Sequence, residues 1–283
     1  MKKILQIAIT GGKGGVGKST VAILLANKLR FSGKRVVLCD CDVECPNDYL
    51  LLNQKLTKSV KQIFALFPKL DKKKCQKCGL CAKKCSSNAI FMPPGGYPVF
   101  IDKLCSNCGL CWTICPHQAI KTKKQTIGNI YNHKINENFY LITGRTKEML
   151  EESGPVVSQT REFAFDFAQK VKADYILFDT AVGMHCGVIR SLLGVDLAYA
   201  VTESTPLGAH DLKLILDLLK ELNVPAQIIL NQSDMGDKKL ISKVSNLTGI
   251  QIKEEIPYSD KLVNLYSRGK LVEMNILKNH KIK

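Results

Sequence analysis

Between Thr10 and Thr20 the chain reads TGGKGGVGKST, five glycines in eleven residues. Its flanks decide what such a loop can be. The preceding ILQIAIT is a short unbroken apolar run that predicts a buried strand. The following STVAILLANKLRFSG has helical apolar spacing up to Gly33, a residue suited to ending a helix. The pattern GxxxxGK[ST] is met at Gly12, Gly17, Lys18 and Ser19. Across Gly12, Gly14, Gly15, Val16 and Gly17, a glycine-rich backbone lets N–H groups converge on phosphate oxygens. Lys18 neutralises phosphate charge, and Ser19, followed by Thr20, offers a hydroxyl to Mg2+. The expectation is an ATP and Mg2+ site.

Beyond the loop, RVVLCD predicts a second strand. The later segments REFAFDFAQKVK, YILFD, LAYAVTE, HDLKLILDLLKELN, AQIILN, KKLISKVSNLTG, IQIKEEIP and SDKLVNLYSRG alternate between helical and extended patterns. The strand segments are apolar throughout, as expected of a sheet covered on both faces. This predicts an α/β fold, a P-loop NTPase with a mostly parallel sheet and right-handed crossovers. At 283 residues the chain can build one full core and a second small unit. The rhythm stops between Asp71 and Lys124, where turn-rich PPGGYP separates two short repeats. The expected division is a discontinuous ATPase domain, 1–70 with 125–283, and an inserted α+β domain, 71–124.

The repeats are CQKCGLCAKKC and CSNCGLCWTIC, eight of the twelve cysteines. Two repeats of this size cannot fold alone without a metal staple. Structural zinc uses paired CxxC units, whereas three cysteines at intervals of three, duplicated, favour iron-sulfur ligation. The spacing, with Pro116 after the last cysteine and Ser86 at the matching place in the first repeat, resembles the bacterial ferredoxin arrangement for two [4Fe-4S] clusters. The resemblance implies one cluster on Cys75, Cys78, Cys81 and Cys115 and another on Cys105, Cys108, Cys111 and Cys85. Small residues at Gly79 and Gly109 let the backbone approach sulfur.

From Lys69 to Lys124 eleven lysines face only Asp71 and Asp102. Compensation of anionic clusters accounts for this better than a nucleic-acid surface, so no nucleic acid is expected. Disulfides are the other use of many cysteines, but no export signal is visible, and a reducing cytoplasm is the expected setting. Arg190 and Asp196 interrupt the longest apolar stretch, and the tail LVEMNILKNHKIK has few apolar anchors, so membrane recruitment is not expected.

A second lysine, Lys13, makes the loop KGGVGKST. With it the chain resembles the deviant Walker A ATPases, the MinD, ParA and nitrogenase iron protein group. The resemblance implies that Lys13 crosses a dimer to the partner's nucleotide, in an ATP sandwich of two copies or with a related ATPase. LCDCDVECPN is similar to a first switch, with Asp42 orienting the attacking water and Asp40 arranging Mg2+. ILFDTAVG is similar to the second switch, with Asp179 holding Mg2+ through water and the Gly183 N–H sensing the terminal phosphate. Ala181 and Val182 stand where relatives carry proline. ILNQSD resembles the adenine-side loop, where Asn231 reads the base or simply caps its strand. Lys13, Lys18 and Asp42 are thus the catalytic expectation.

Cys39 reads as a buried strand residue. Cys186, seven residues past Asp179, matches a cluster ligand of the nitrogenase iron protein. Cys45 and Cys186 either bridge a dimer with an extra metal or are plain thiols; about twenty irons per dimer, rather than about sixteen, favour the bridge. His117 and His185 read as surface or packing residues. The whole implies an ATPase whose closure gates electron or cluster transfer to a metalloprotein or electron carrier. A positional switch with redox-sensing clusters and a passive scaffold are the alternatives.

Overall fold

The computed structural model describes residues 3–147 and 153–274. The chain begins as the sequence predicts, with strand β1 (Leu5–Thr10), the glycine loop, helix α1 (Lys18–Phe31) and strand β2 (Val36–Asp40). The single turn α2 (Asp48–Leu51) leads to β3 (Lys61–Leu70). The cysteine segment follows, built from the turn α3 (Leu80–Lys83), the short strands β4 (Ile90–Phe91) and β5 (Val99–Phe100), and the turn α4 (Leu110–Thr113). The return path is the long β6 (Ile120–Asn136) and then β7 (Phe139–Thr146). Alternation resumes with α5 (Gly154–Lys170), β8 (Tyr175–Asp179), α6 (Cys186–Leu192), β9 (Leu197–Thr202) and α7 (Pro206–Glu221). It ends with β10 (Ala226–Asn231), α8 (Lys238–Thr248), β11 (Ile252–Ile256) and α9 (Asp260–Ser267).

Nine of the eleven strands among the described residues form one sheet in the order β11, β10, β9, β1, β8, β2, β7, β6, β3, and β4 pairs with β5 apart from it. From β11 to β7 every neighbour is parallel. The last two, β6 and β3, are antiparallel additions at one edge. Alternate strand residues divide the core between the two faces. Ile7 and Ile9 of β1 pack with α1 and Leu262 of α9, whereas Ala8 packs on the side of α5, α6, α7 and α8. Helix α1 is buried nearly all round, from Thr20 through Leu29, because the sheet and the chain's last described turns enclose it. Asn27 in its middle donates both side-chain protons, to the carbonyls of Leu271 and Met274. Gly33, at φ 74°, ends the helix as predicted.

Three strands, β3, β6 and β7, and helix α6 were not foreseen. Lys121, Lys123 and Lys124, grouped above with the cysteine segment on composition, are strand residues paired with Lys69, Phe67 and Leu66. The cysteine segment therefore hangs from the far end of an edge hairpin, between Leu70 and Ile120. The tail residues 275–283, on which the membrane argument partly rests, lie outside the described residues. No helix among the described residues is long and apolar enough to cross a membrane.

Candidate nucleotide site and cysteine centres

The C-terminal ends of the parallel strands open into a cavity of about 400 Å³. Gly15, Gly17, Lys18, Ser19, Thr20, Asp42 and Asn231 all line it, so half of the nucleotide-site residues singled out in the sequence meet in one place. Gly12, Lys13, Gly14, Val16, Gly183, Asp40 and Asp179 do not line it. Asp179 lies beneath the loop, hydrogen-bonded to the Ser19 side chain. Gly17 caps α1 at φ 91°, and a Cβ there would collide with the amide of Asn231. That amide donates to the Val16 carbonyl at 2.9 Å, so Asn231 holds the loop from behind as well as walling the cavity.

Lys18 is 7% exposed, and its ammonium donates to the Lys13 carbonyl at 3.2 Å. Burial lowers its pKa, while Asp179 and Asp42 oppose that shift. The acids respond to the same burial. Asp179 is pushed up to about 7, held down in part by Ser19 and Lys18, and burial also raises Asp42. Buried carboxylates above an apolar sheet call for positive charge, which a bound Mg2+ supplies. The oxygen donors Ser19, Asp40 and Asp179 fit such an ion. Lys13 points elsewhere, with its ammonium 2.7 Å from Glu203 Oε1. Glu203 carried no signal in the sequence, being 190 positions away.

On the side expected for the base, Tyr258, Leu262, Val263 and Tyr266 form an aromatic and apolar wall that no motif announced. The Tyr258 N–H donates to Asp234, tying this wall to the loop after β10.

These features decide the lineage. A family model described as CobQ/CobB/MinD/ParA nucleotide binding domain matches residues 7–272. The chain belongs to that family. An uncharacterized protein of Methanocaldococcus jannaschii is 31% identical to it over 99% of this chain and 96% of its own length. An iron-sulfur cluster carrier protein of the same organism is 24% identical over 93% of this chain and 66% of its own length. Among solved structures, the Pyrococcus furiosus cell division ATPase MinD superposes with a TM-score of 0.57 at 17% identity, covering 95% of this chain and 90% of its own, and so shares the fold.

To this MinD/ParA-type domain the hairpin adds two further cavities. One is lined by Cys75, Cys78, Cys81 and Cys115, the other by Cys85, Cys105, Cys108 and Cys111. In each, the fourth cysteine comes from the other repeat. The backbone repeats with the sequence: Lys77 and Asn107, Gly79 and Gly109, and Asn88 and Gln118 all take positive φ. This turns N–H groups toward sulfur. Ala89 donates to Cys85 Sγ at 3.3 Å, and Ala119 donates to Cys115 Sγ at 3.4 Å. Burial, then Cys105, pushes the Cys111 thiol up to about 11, so ligation must displace its proton. Four thiols around each of two apolar cavities, with N–H donors to sulfur, fit iron-sulfur cubes.

The remaining cysteines separate. Cys39 and Cys41 are buried side by side, 3.7 Å between sulfurs, whereas Cys45 and Cys186 are exposed. His185 caps α6 by accepting from the Gly187 N–H, and His117 is exposed.

Proposed function

We propose that the chain is an ATPase whose ATP-dependent dimer closure gates transfer of electrons, or of an iron-sulfur cluster, to a metalloprotein or electron-carrier partner. Of the expected insert 71–124, the part between Leu70 and Ile120 serves as its two-cluster ferredoxin-like domain, with the crossed ligand sets given above, and residues 120–124 belong to β6 of the sheet. The dimer is of two copies or with a related ATPase, in the cytoplasm. A relative named as an iron-sulfur cluster carrier supports the cluster part of this reading.

One observation carries the coupling. Val43, next to Asp42, accepts through its carbonyl from the Thr146 N–H at 2.7 Å and from the Thr146 hydroxyl at 3.1 Å. Thr146 ends β7 and pairs with Gly128 of β6. Strand β6 continues outward to Ile120, beside the residue that donates to Cys115 Sγ. Nine residues of strand span at most about 30 Å, so what passes between the switch and the clusters is movement of a paired strand. A bulge at Ile63 and Phe64 opposite Ile127 gives the hairpin a place to bend at its base.

In this reading Lys18 and the loop amides bind the phosphates, Asp42 orients the attacking water, and Asp40, Asp179 and Ser19 serve Mg2+. The Gly183 N–H senses the terminal phosphate. Lys13 leaves Glu203 for the partner's nucleotide, so Glu203→Gln should tighten ATP-dependent dimerisation about threefold, the scale of a partly exposed ion pair. Analytical ultracentrifugation with a non-hydrolysable ATP analogue measures it. On the insert, the lysines exceed what two clusters of about −2 each offset. Lys72 and Lys77 lie over Tyr97 beside the exposed Cys78, a surface suited to an acidic carrier.

The test is the transfer rate. With the clusters reduced under anoxic conditions, electron transfer to an acidic acceptor should change at least severalfold when a non-hydrolysable ATP analogue and Mg2+ are added. Equal rates with and without nucleotide, for electrons and for cluster transfer alike, would end this reading.

A further inference from the structure

Beneath the nucleotide cavity lies one carboxylate more than the sequence suggested. Asp40, Asp48 and Asp179 each bring an oxygen within 4.8 Å of the other two, and all three are buried. Two of them have donors. Asp40 accepts from the backbone N–H groups of Asp42, Asn47 and Asp48 at 3.1, 3.0 and 3.2 Å. Asp179 is bonded to Ser19.

Asp48 has none. It is 0% exposed, and neither carboxylate oxygen has a hydrogen-bond partner. Burial, and then the neighbouring carboxyls of Asp179 and Asp40, push its pKa well above the usual carboxylate range. Two further buried oxygens in the neighbourhood are unpartnered, Asp179 Oδ1 and the Thr143 hydroxyl. Thr143 sits on β7 in register with Asp40 on β2. The local fold explains how Asp48 arrives there. The N–H groups of Asn47 and Asp48 grip Asp40, which brings the start of α2 inward. A buried carboxylate with no hydrogen-bond donor is costly, and a cation shared with its two neighbours removes that cost.

We propose that Asp48 joins Asp40 and Asp179 in a divalent-cation site that fills in the absence of nucleotide. An all-oxygen donor set selects a hard ion, Mg2+ or Mn2+, over zinc or iron. This role differs from holding the ion that arrives with ATP, for which Ser19 and the phosphates supply donors and Asp48 is not needed. The consequence is a site already carrying positive charge when the triphosphate enters.

The experiment is a Mn2+ titration of the nucleotide-free full chain, followed by the paramagnetic resonance of free Mn2+ with the clusters oxidised. One saturable Mn2+ per chain is expected, displaced by Mg2+ and weakened about tenfold or more by Asp48→Asn. The thermal midpoint of the wild-type chain should rise with Mn2+ alone, and that of Asp48→Asn should not. Absence of a saturable site in the nucleotide-free wild-type chain overturns the proposal. Unchanged affinity in a folded Asp48→Asn chain does so too. Should that variant fail to fold, the wild-type stoichiometry and thermal shift still decide.

Discussion

Lys18→Ala is expected to abolish measurable nucleotide binding and to lower ATP hydrolysis at least about hundredfold, the scale of losing a preorganised charge at a phosphoryl site. The reason lies in the balance of charge beneath the loop. Lys18 is buried among Asp179 and Asp42, and burial already disfavours its charge. It is retained where triphosphate oxygens and these carboxylates together hold it. Without it, phosphates would enter a cavity whose floor is acidic. Calorimetric titration of ATP and a phosphate-release assay measure the two losses. Iron content separates the readings of function. The variant should load iron normally, since the cysteine cavities lie at the far end of the hairpin, yet lose every response of the clusters to ATP. A passive scaffold would lose nothing measurable.

Cys115→Ser should have the second large effect, halving the iron from about eight to about four per chain. Cys115 belongs by sequence to the second repeat but lines the cavity of Cys75, Cys78 and Cys81. Crossing makes a sharper prediction for pairs of substitutions. Cys75→Ser with Cys115→Ser should lose no more iron than either alone, because both strip one cluster. Cys75→Ser with Cys85→Ser should lose nearly all of it. Uncrossed ligand sets predict the reverse pattern. The cluster-free segment should also become a protease target between Leu70 and Ile120 while the sheet persists. Few of its residues, among them Ala89, Ile90 and Ala119, are buried, so it has little core of its own.

The central unit was legible because its strands, such as YILFD and AQIILN, are apolar from end to end, a signature of strands covered on both faces. The edge hairpin was not. In β6, which joins β7 to the edge strand β3, lysines, threonines and asparagines interrupt the apolar residues, because its faces are only partly covered. Read alone, that pattern looks like loop. The glycine loop and the eight cysteines of the two repeats were visible because such patterns show in close sequence spacing. Asp48, Glu203 and Tyr258 were not, since each acquires meaning only from a neighbour brought up by the fold. Asn231 was half legible: its place on the cavity wall followed from position, whereas its hold on Val16 is a contact across 215 residues.

The hairpin joining Val43 to the cysteine cavities is the part of this account on which the function depends. A spectroelectrochemical titration of anoxically prepared protein, with and without Mg2+ and a non-hydrolysable ATP analogue, tests it most directly. The midpoint potential of at least one cluster should move when nucleotide binds, and Lys18→Ala should erase the movement. Two clusters whose potentials and spectra are the same in the presence and absence of nucleotide would contradict it.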